Sequence, residues 1–281
     1  MSTLPFRQVA IVGLGLMGGS LALALRQLRD RPRVTGLSRD PEELRSARRA
    51  GALDEGSEDA HSALAGADLV VYATPTRVTL ELLREHRDLW LASAVVSDVG
   101  SVKRPVLAEA ARLGLEPRFV GGHPMAGGHR SGFAAARADL YQGARVWLVA
   151  GQGGENALQR VAELWRAVGA RPESADAEAH DLLMAWVSHL PQVAASALGI
   201  ALARAAVAPD TLGPGGRDAT RLAASAPELW ADILLENGDL LQGPLRGFAA
   251  AVQELADEIA GGDRARLEAL LARAREWREG T

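Results

Sequence analysis

Short runs of consecutive apolar, often β-branched residues recur through the first 150 positions. They cover residues 8–12, 33–37, 68–72, 94–97 and 145–149, and a further run ends at Phe119 and Val120. Unbroken apolar runs of this length predict strands buried on both faces, as in a parallel sheet. Between them apolar positions recur at helical spacing over residues 20–28, 78–89, 102–113 and 158–168. Strands alternating with helices predict a doubly wound sheet of Rossmann type. A short segment, 171–174, leads out of this region, and from Ala175 onward the apolar spacing is helical throughout. The expected fold is an α/β Rossmann-type domain over residues 1–172 followed by an all-α domain over 173–281. The last helix spans Asp263 to about Glu279, with no regulatory domain expected after it.

One helical stretch stands apart. From Ala177 to about Arg204 the chain is almost uniformly apolar after Asp181. A helix apolar all round must be buried, and about 110 residues make a small domain in which to bury it. Burial against a second copy resolves this, so a homodimer through the helical domain is expected. Pro191 removes one ladder hydrogen bond and is expected to kink this helix, leaving the Val187 carbonyl without a donor and aiming His189 inward.

The chemistry sits at the strand ends. Gly13-Leu-Gly15-Leu16-Met17-Gly18 follows the first strand and opens the first helix, the strand–turn–helix context of a dinucleotide fingerprint. Gly13 permits the tight turn, Gly15 lets backbone approach a pyrophosphate, Gly18 lets helix and strand pack closely, and the helix N-terminus offers N–H groups to phosphate. Thr74 follows the third apolar run and completes the expected cofactor contacts. The second run ends at Ser38-Arg39, with Asp40 read as the only nearby acid and as the cap of the next helix. Where NAD-binding chains usually place a carboxylate, a hydroxyl beside a guanidinium suits a 2′-phosphate, so NADP is favoured over NAD. Residues 119–132 hold two of the six histidines and five glycines, read as a loop leaving a sheet edge. His123, fixed by Pro124, is a candidate general base. His180-Asp181 reads as a local hydrogen-bond or hinge pair. Arg217 and Arg221, four apart after a glycine-rich turn, can share a helix face and grip a carboxylate.

Composition narrows the choices. With a net charge of −4, bulk electrostatics give no reason to expect a nucleic-acid partner. The absence of cysteine excludes disulfide and thiolate chemistry. No apolar run reaches the roughly 18 residues of a membrane span and no signal core opens the chain, so a cytoplasmic location is expected. No metal site is expected.

Taken in order, Gly13 to Gly18, Ser97-Asp-Val-Gly-Ser-Val-Lys103, Gly122-His-Pro-Met-Ala-Gly127, Ser188-His-Leu-Pro191 and Arg217-Asp-Ala-Thr-Arg221 resemble the prephenate/arogenate dehydrogenase family of tyrosine biosynthesis. The resemblance implies NAD(P)-dependent oxidative decarboxylation of prephenate to 4-hydroxyphenylpyruvate or of arogenate to tyrosine. It implies that His123 is the base, that Ser101 hydrogen-bonds it and the substrate hydroxyl, and that Arg221, Arg217, His189 and Gln192 bind a dicarboxylate substrate between the domains. Two positions depart from the family pattern: Gln192 replaces a frequent histidine, and Gly128-His129 replaces a polar–acidic pair. A β-hydroxyacid dehydrogenase, a pyrroline-carboxylate-type reductase and a non-catalytic NADP-sensing regulator are the alternatives. The first needs a catalytic lysine in the helical domain, whereas Lys103 is the chain's only lysine.

Overall fold

The computed structural model describes residues 4–128 and 130–280, so His129 lies outside the described residues. Its core is one eight-stranded sheet. The strands are β1 (Gln8–Val12), β2 (Arg33–Leu37), β3 (Glu55–Ser57), β4 (Leu69–Tyr72), β5 (Val95–Asp98), β6 (Phe119–Pro124), β7 (Arg145–Ala150) and β8 (Arg171–Ser174). Their order is β3-β2-β1-β4-β5-β6-β7-β8, and every pairing is parallel except β6 with β7. The helices of this half are α1 (Leu16–Arg26), α2 (Pro41–Arg49), α3 (Ala60–Leu64), α4 (Thr76–Glu85), α5 (Arg104–Arg112) and α6 (Glu155–Ala167). Two apolar cores result. One packs β1 and the sheet's first face against α1 and α6, and the other packs the opposite face against α3, α4 and α5.

The chain reverses its winding between β1 and β4, so a crevice opens at the carboxyl ends of these strands. Gly13, with φ +93°, turns the chain there, and a Cβ on it would lie 2.8 Å from the Ala73 carbonyl oxygen. A Cβ on Gly18 would lie 1.9 Å from the Gly13 carbonyl oxygen, so α1 can approach β1 only with hydrogen at that position. Gly15 caps α1 without a side-chain hydrogen bond, and the space above it holds no protein atom closer than the Glu43 carboxylate at 4.0 Å.

The glycine-rich stretch differs from expectation. Gly121 to Pro124 is strand, not loop, and β6 lies inside the sheet between β5 and β7 rather than at its edge. The glycines serve close packing: a Cβ on Gly122 would stand 2.6 Å from the Asp98 carbonyl oxygen, and one on Gly121 would stand 2.8 Å from Leu107. The sheet continues through β8, so the Rossmann half runs to Ser174.

The helical half comprises α7 (Ala177–Met184), α8 (Leu190–Arg204), α9 (Pro214–Thr220), α10 (Pro227–Glu236), α11 (Gly238–Gly261) and α12 (Arg264–Glu279). The expected proline kink takes another form. A π-helical segment, Ala185–His189, joins α7 to α8 without a break, and Pro191 falls in the first turn of α8, where its missing N–H matters least. His180, Asp181, Met184, Ala185, His189, Gln192 and Ala195 all turn inward along this rod. The rod is 28 residues long and holds an 18-residue stretch with a mean hydropathy of 1.2, enough by length and composition to cross a membrane, yet its inward face buries polar side chains against protein. Its other face leaves Trp186, Val187 and Ile200 more than half exposed.

Gly18→Ala should therefore break the turn geometry. Overpacking of this kind costs about 1–3 kcal/mol or more. A melting scan should show Tm lower by several degrees, and unchanged Tm would refute the packing role.

Candidate active site

A hydrogen-bonded chain runs from the rod into the crevice. Asp181 Oδ1 accepts from His180 Nδ1 at 2.7 Å, and His180 Nε2 meets His123 Nδ1 at 2.9 Å. An ionised carboxylate accepts only, so His180 carries its proton on Nδ1 and presents a lone pair at Nε2. His123 must then donate from Nδ1, which leaves its Nε2 unprotonated. That nitrogen has no hydrogen-bond partner within the described chain. The two imidazoles meet edge to face, with centroids 5.1 Å apart.

Asp181 is fully buried, and it also accepts the backbone N–H groups of Lys103 at 2.8 Å and Arg104 at 2.9 Å. These are the free donors at the start of α5, so a carboxylate from the helical half caps a helix of the Rossmann half. Burial alone would raise its pKa. The hydrogen bonds from His180 and the two backbone N–H groups outweigh burial and hold it below the usual carboxylate range.

His123 is itself buried, which pushes its pKa well below the ordinary histidine value, and the neighbouring His180, Lys103 and His189 push it the same way. Beneath it the fully buried Lys103 donates from Nζ to both Asp98 oxygens, at 2.7 and 2.6 Å, and to the Gly122 carbonyl at 2.6 Å. Asp98 in turn accepts the Gly122 and Gly100 N–H groups. This ion pair leaves Lys103 without a free proton donor for substrate. Ser101 lies in the turn after β5, and among the described residues its hydroxyl has no hydrogen-bond partner, so the expected bond to His123 is not made in this structure.

His189 lies farther along the rod, with centroids 6.1 Å from Trp230 in an edge-to-face arrangement. Asn237 Nδ2 donates to the Asp181 carbonyl at 2.8 Å and approaches His189 Nδ1 at 3.1 Å. His189 thus accepts at Nδ1 and carries its proton on Nε2. That Nε2 is buried and unpartnered, the sole side-chain polar atom of this kind among the described residues. A buried donor without a partner is costly, so the atom marks a place for a ligand acceptor. Burial lowers the His189 pKa to about 4, so it is a neutral donor.

Gln192, expected on substrate, is committed elsewhere. Its Nε2 donates to the Leu222 carbonyl at 2.9 Å and its Oε1 accepts from Ser225 at 3.4 Å. It holds the segment that begins at Arg221 against α8. Arg221 itself is exposed and has no ion-pair partner among the described residues, whereas Arg217 folds its guanidinium back onto the Leu212 carbonyl.

At the other end of the crevice, Leu16 and Met17 open α1, and the Met17 carbonyl accepts from Tyr141 at 2.7 Å. Thr74 packs its methyl toward Gly13 and shares a 2.8 Å hydrogen bond with Thr79. A cavity of about 440 Å³ extends from Gly13 and Thr74 to Ser38 and Arg39. Asp40 is not the only acid there: Ser38 donates to Glu43 Oε2 at 2.8 Å, and Glu58 lines the same cavity. A cleft with an uncapped helix start, an open glycine and an adjoining cavity fits a dinucleotide.

Residues 21–174 match the nucleotide-binding domain of prephenate dehydrogenase, and residues 176–273 match the dimerization domain of that enzyme. The chain belongs to the prephenate dehydrogenase family. It is 31% identical to the prephenate dehydrogenase of Bacillus subtilis over 97% of this chain and 75% of that one. It is 34% identical to the cyclohexadienyl dehydrogenase of Zymomonas mobilis over 92% of this chain and 90% of that one. Its fold matches that of A. aeolicus prephenate dehydrogenase in complex with hydroxyphenyl propionate and NAD+, with a TM-score of 0.91 and 31% identity over 99% of each chain. Synechocystis arogenate dehydrogenase gives a TM-score of 0.82 at 28% identity, over 97% of this chain and 99% of that one. Like other prephenate dehydrogenase family members, the chain is an oxidoreductase.

The residues that sequence reasoning left out of this candidate site are His180, Asp181, Asn237 and the Asp98–Lys103 pair. Adjacent acid and imidazole in an otherwise apolar stretch was the available signal for His180-Asp181. Nothing local distinguishes Asn237.

The lowered pKa of His123, the candidate base, has a testable consequence. His123 loses its lone pair only on protonation, so activity persists as pH falls through the ordinary histidine range. The acid limb of kcat/KM should fall well below pH 6.5, and a limb centred at or above that value would remove His123 as the base.

Proposed function

We propose that the chain oxidatively decarboxylates a cyclohexadienyl dicarboxylate, either prephenate to 4-hydroxyphenylpyruvate or arogenate to tyrosine, using a nicotinamide dinucleotide. The observation that carries this reading is the Asp181–His180–His123 chain, which ends at the carboxyl end of β6 in an unprotonated nitrogen with no partner among the described residues. The relatives, named for prephenate, cyclohexadienyl and arogenate dehydrogenation, support the substrate class.

When bound, the dinucleotide accepts the hydride from the ring carbon that bears the hydroxyl. His123 Nε2 takes the hydroxyl proton as the carbonyl forms, and its Nδ1 proton stays anchored on His180. The bond to the ring carboxylate breaks and CO₂ leaves. Its electron pair passes through the ring onto the carbonyl oxygen as the ring aromatises, and the proton held on His123 Nε2 returns to that oxygen to give the phenol. Ser101, in the turn after β5 and with its hydroxyl unengaged among the described residues, bonds the substrate hydroxyl. The buried Nε2–H of His189 donates to a substrate oxygen, and Arg221, without an ion pair among the described residues, offers two parallel hydrogen bonds to a carboxylate. Gln192 acts one step away by holding the Arg221 segment. The enzyme works in the cytoplasm.

The sequence favoured NADP because Ser38 carries no carboxylate. The Glu43 carboxylate on Ser38 supports NAD instead. The protein is a homodimer through its helical half, as the exposed Trp186, Val187 and Ile200 and the match of residues 176–273 to a dimerization domain support.

Purified protein with prephenate or arogenate and dinucleotide should produce the reduced-nicotinamide absorbance, and His123→Asn should lower kcat by about 10²–10⁴-fold with dinucleotide binding kept. No signal with either substrate, or near-normal kcat in the variant, would reject the assignment. Light scattering at micromolar concentration should give twice the chain mass of 29.6 kDa, and Trp186→Glu with Ile200→Glu should shift it toward the monomer. A monomeric wild type would refute the dimer.

A further inference from the structure

Resting on the dinucleotide reading above, we propose that Glu43 is the residue that reads the adenosine ribose and sets a preference for NAD+ over NADP+. The acid usually found at the end of the second strand is missing, because Ser38 stands there. The fold restores a carboxylate from the next helix. Glu43 lies in the first turn of α2, half-buried, and Ser38 Oγ donates to its Oε2 at 2.8 Å. The same Ser38 oxygen receives the Asp40 N–H at 3.1 Å. A serine has one proton to give, and this one is on Glu43, so Ser38 has none left for a phosphate oxygen.

The geometry leaves the other carboxylate oxygen available. Glu43 Oε1 faces the glycine turn, 4.0 Å from where a Cβ on Gly15 would stand, and it has no hydrogen-bond donor within the described chain. An acceptor at the rim of the turn that cradles pyrophosphate stands where the two ribose hydroxyls can donate to it. A 2′-phosphate placed there meets the opposite situation. Glu43, Asp40, Glu58 and Glu85 line the cavity, against an exposed Arg39 with no ion-pair partner among the described residues. A group carrying nearly two negative charges is repelled by carboxylates at this range.

Calorimetric titration of the full-length protein with NAD+ and with NADP+, without substrate, tests this independently of turnover. Wild type should bind NAD+ at least about tenfold more tightly than NADP+. Glu43→Gln should weaken NAD+ about tenfold and leave NADP+ unweakened, the change expected for one charge-assisted hydrogen bond. Adding Ser38→Asp to Glu43→Gln should restore NAD+ affinity, which a merely structural role for Glu43 would not produce. Tighter NADP+ binding by wild type, or an unchanged NAD+/NADP+ ratio in Glu43→Gln, would overturn the role of Glu43 while the dehydrogenase reading stands. Failure of wild type to bind either dinucleotide would overturn both.

Discussion

The arrangement depends on one buried carboxylate. Asp181 comes from the helical half yet caps α5 of the Rossmann half, accepts from His180, and shares Arg104 with Asp239 at the start of α11. An ionised carboxylate sealed from water is tolerated only when its lone pairs are met. Here charge-assisted hydrogen bonds and a helix N-terminus meet them. The same contacts that make burial tolerable dock the two halves and dictate where the protons sit on His180 and His123. Docking and acid–base chemistry are therefore one constraint rather than two.

The α7–α8 rod serves two environments at once. Its inner face places His180, Asp181, His189 and Gln192 in sequence along the crevice, and its outer face is broadly apolar and exposed in the single chain. The π-helical turn before Pro191 accommodates both. An extra residue in one turn absorbs the missing proline N–H and keeps His189 inward with His180.

In the dinucleotide cleft the decisive contacts are short and steric. Gly13, Gly18 and Gly122 each stand where a single Cβ would collide with backbone. β6 consequently lies close against β5, and the Asp98–Lys103 pair closes the floor under His123. The charge is arranged differently from what chain position suggests, since the carboxylate beside Ser38 arrives from α2 rather than from the strand end.

The sequence by itself determined the alternation of strands and helices, the glycine turn, the change to an all-helical half and the family, because these depend on local periodicity and on motifs of neighbouring residues. His123, His189 and Arg221 were legible as candidates for the same reason. What only the tertiary structure decided were the pairings between distant residues. His180 and Asp181 read locally as a hinge pair, yet they meet His123 and α5 across nearly 60 and 80 positions. The Gly121 to Pro124 stretch reads as loop because glycine is costly in a strand, and only the closeness of β5 and α5 gives it a reason to be strand. Glu43 reads as an ordinary surface acid of a helix until Ser38 reaches it. Each of these roles comes from a partner that local pattern cannot name.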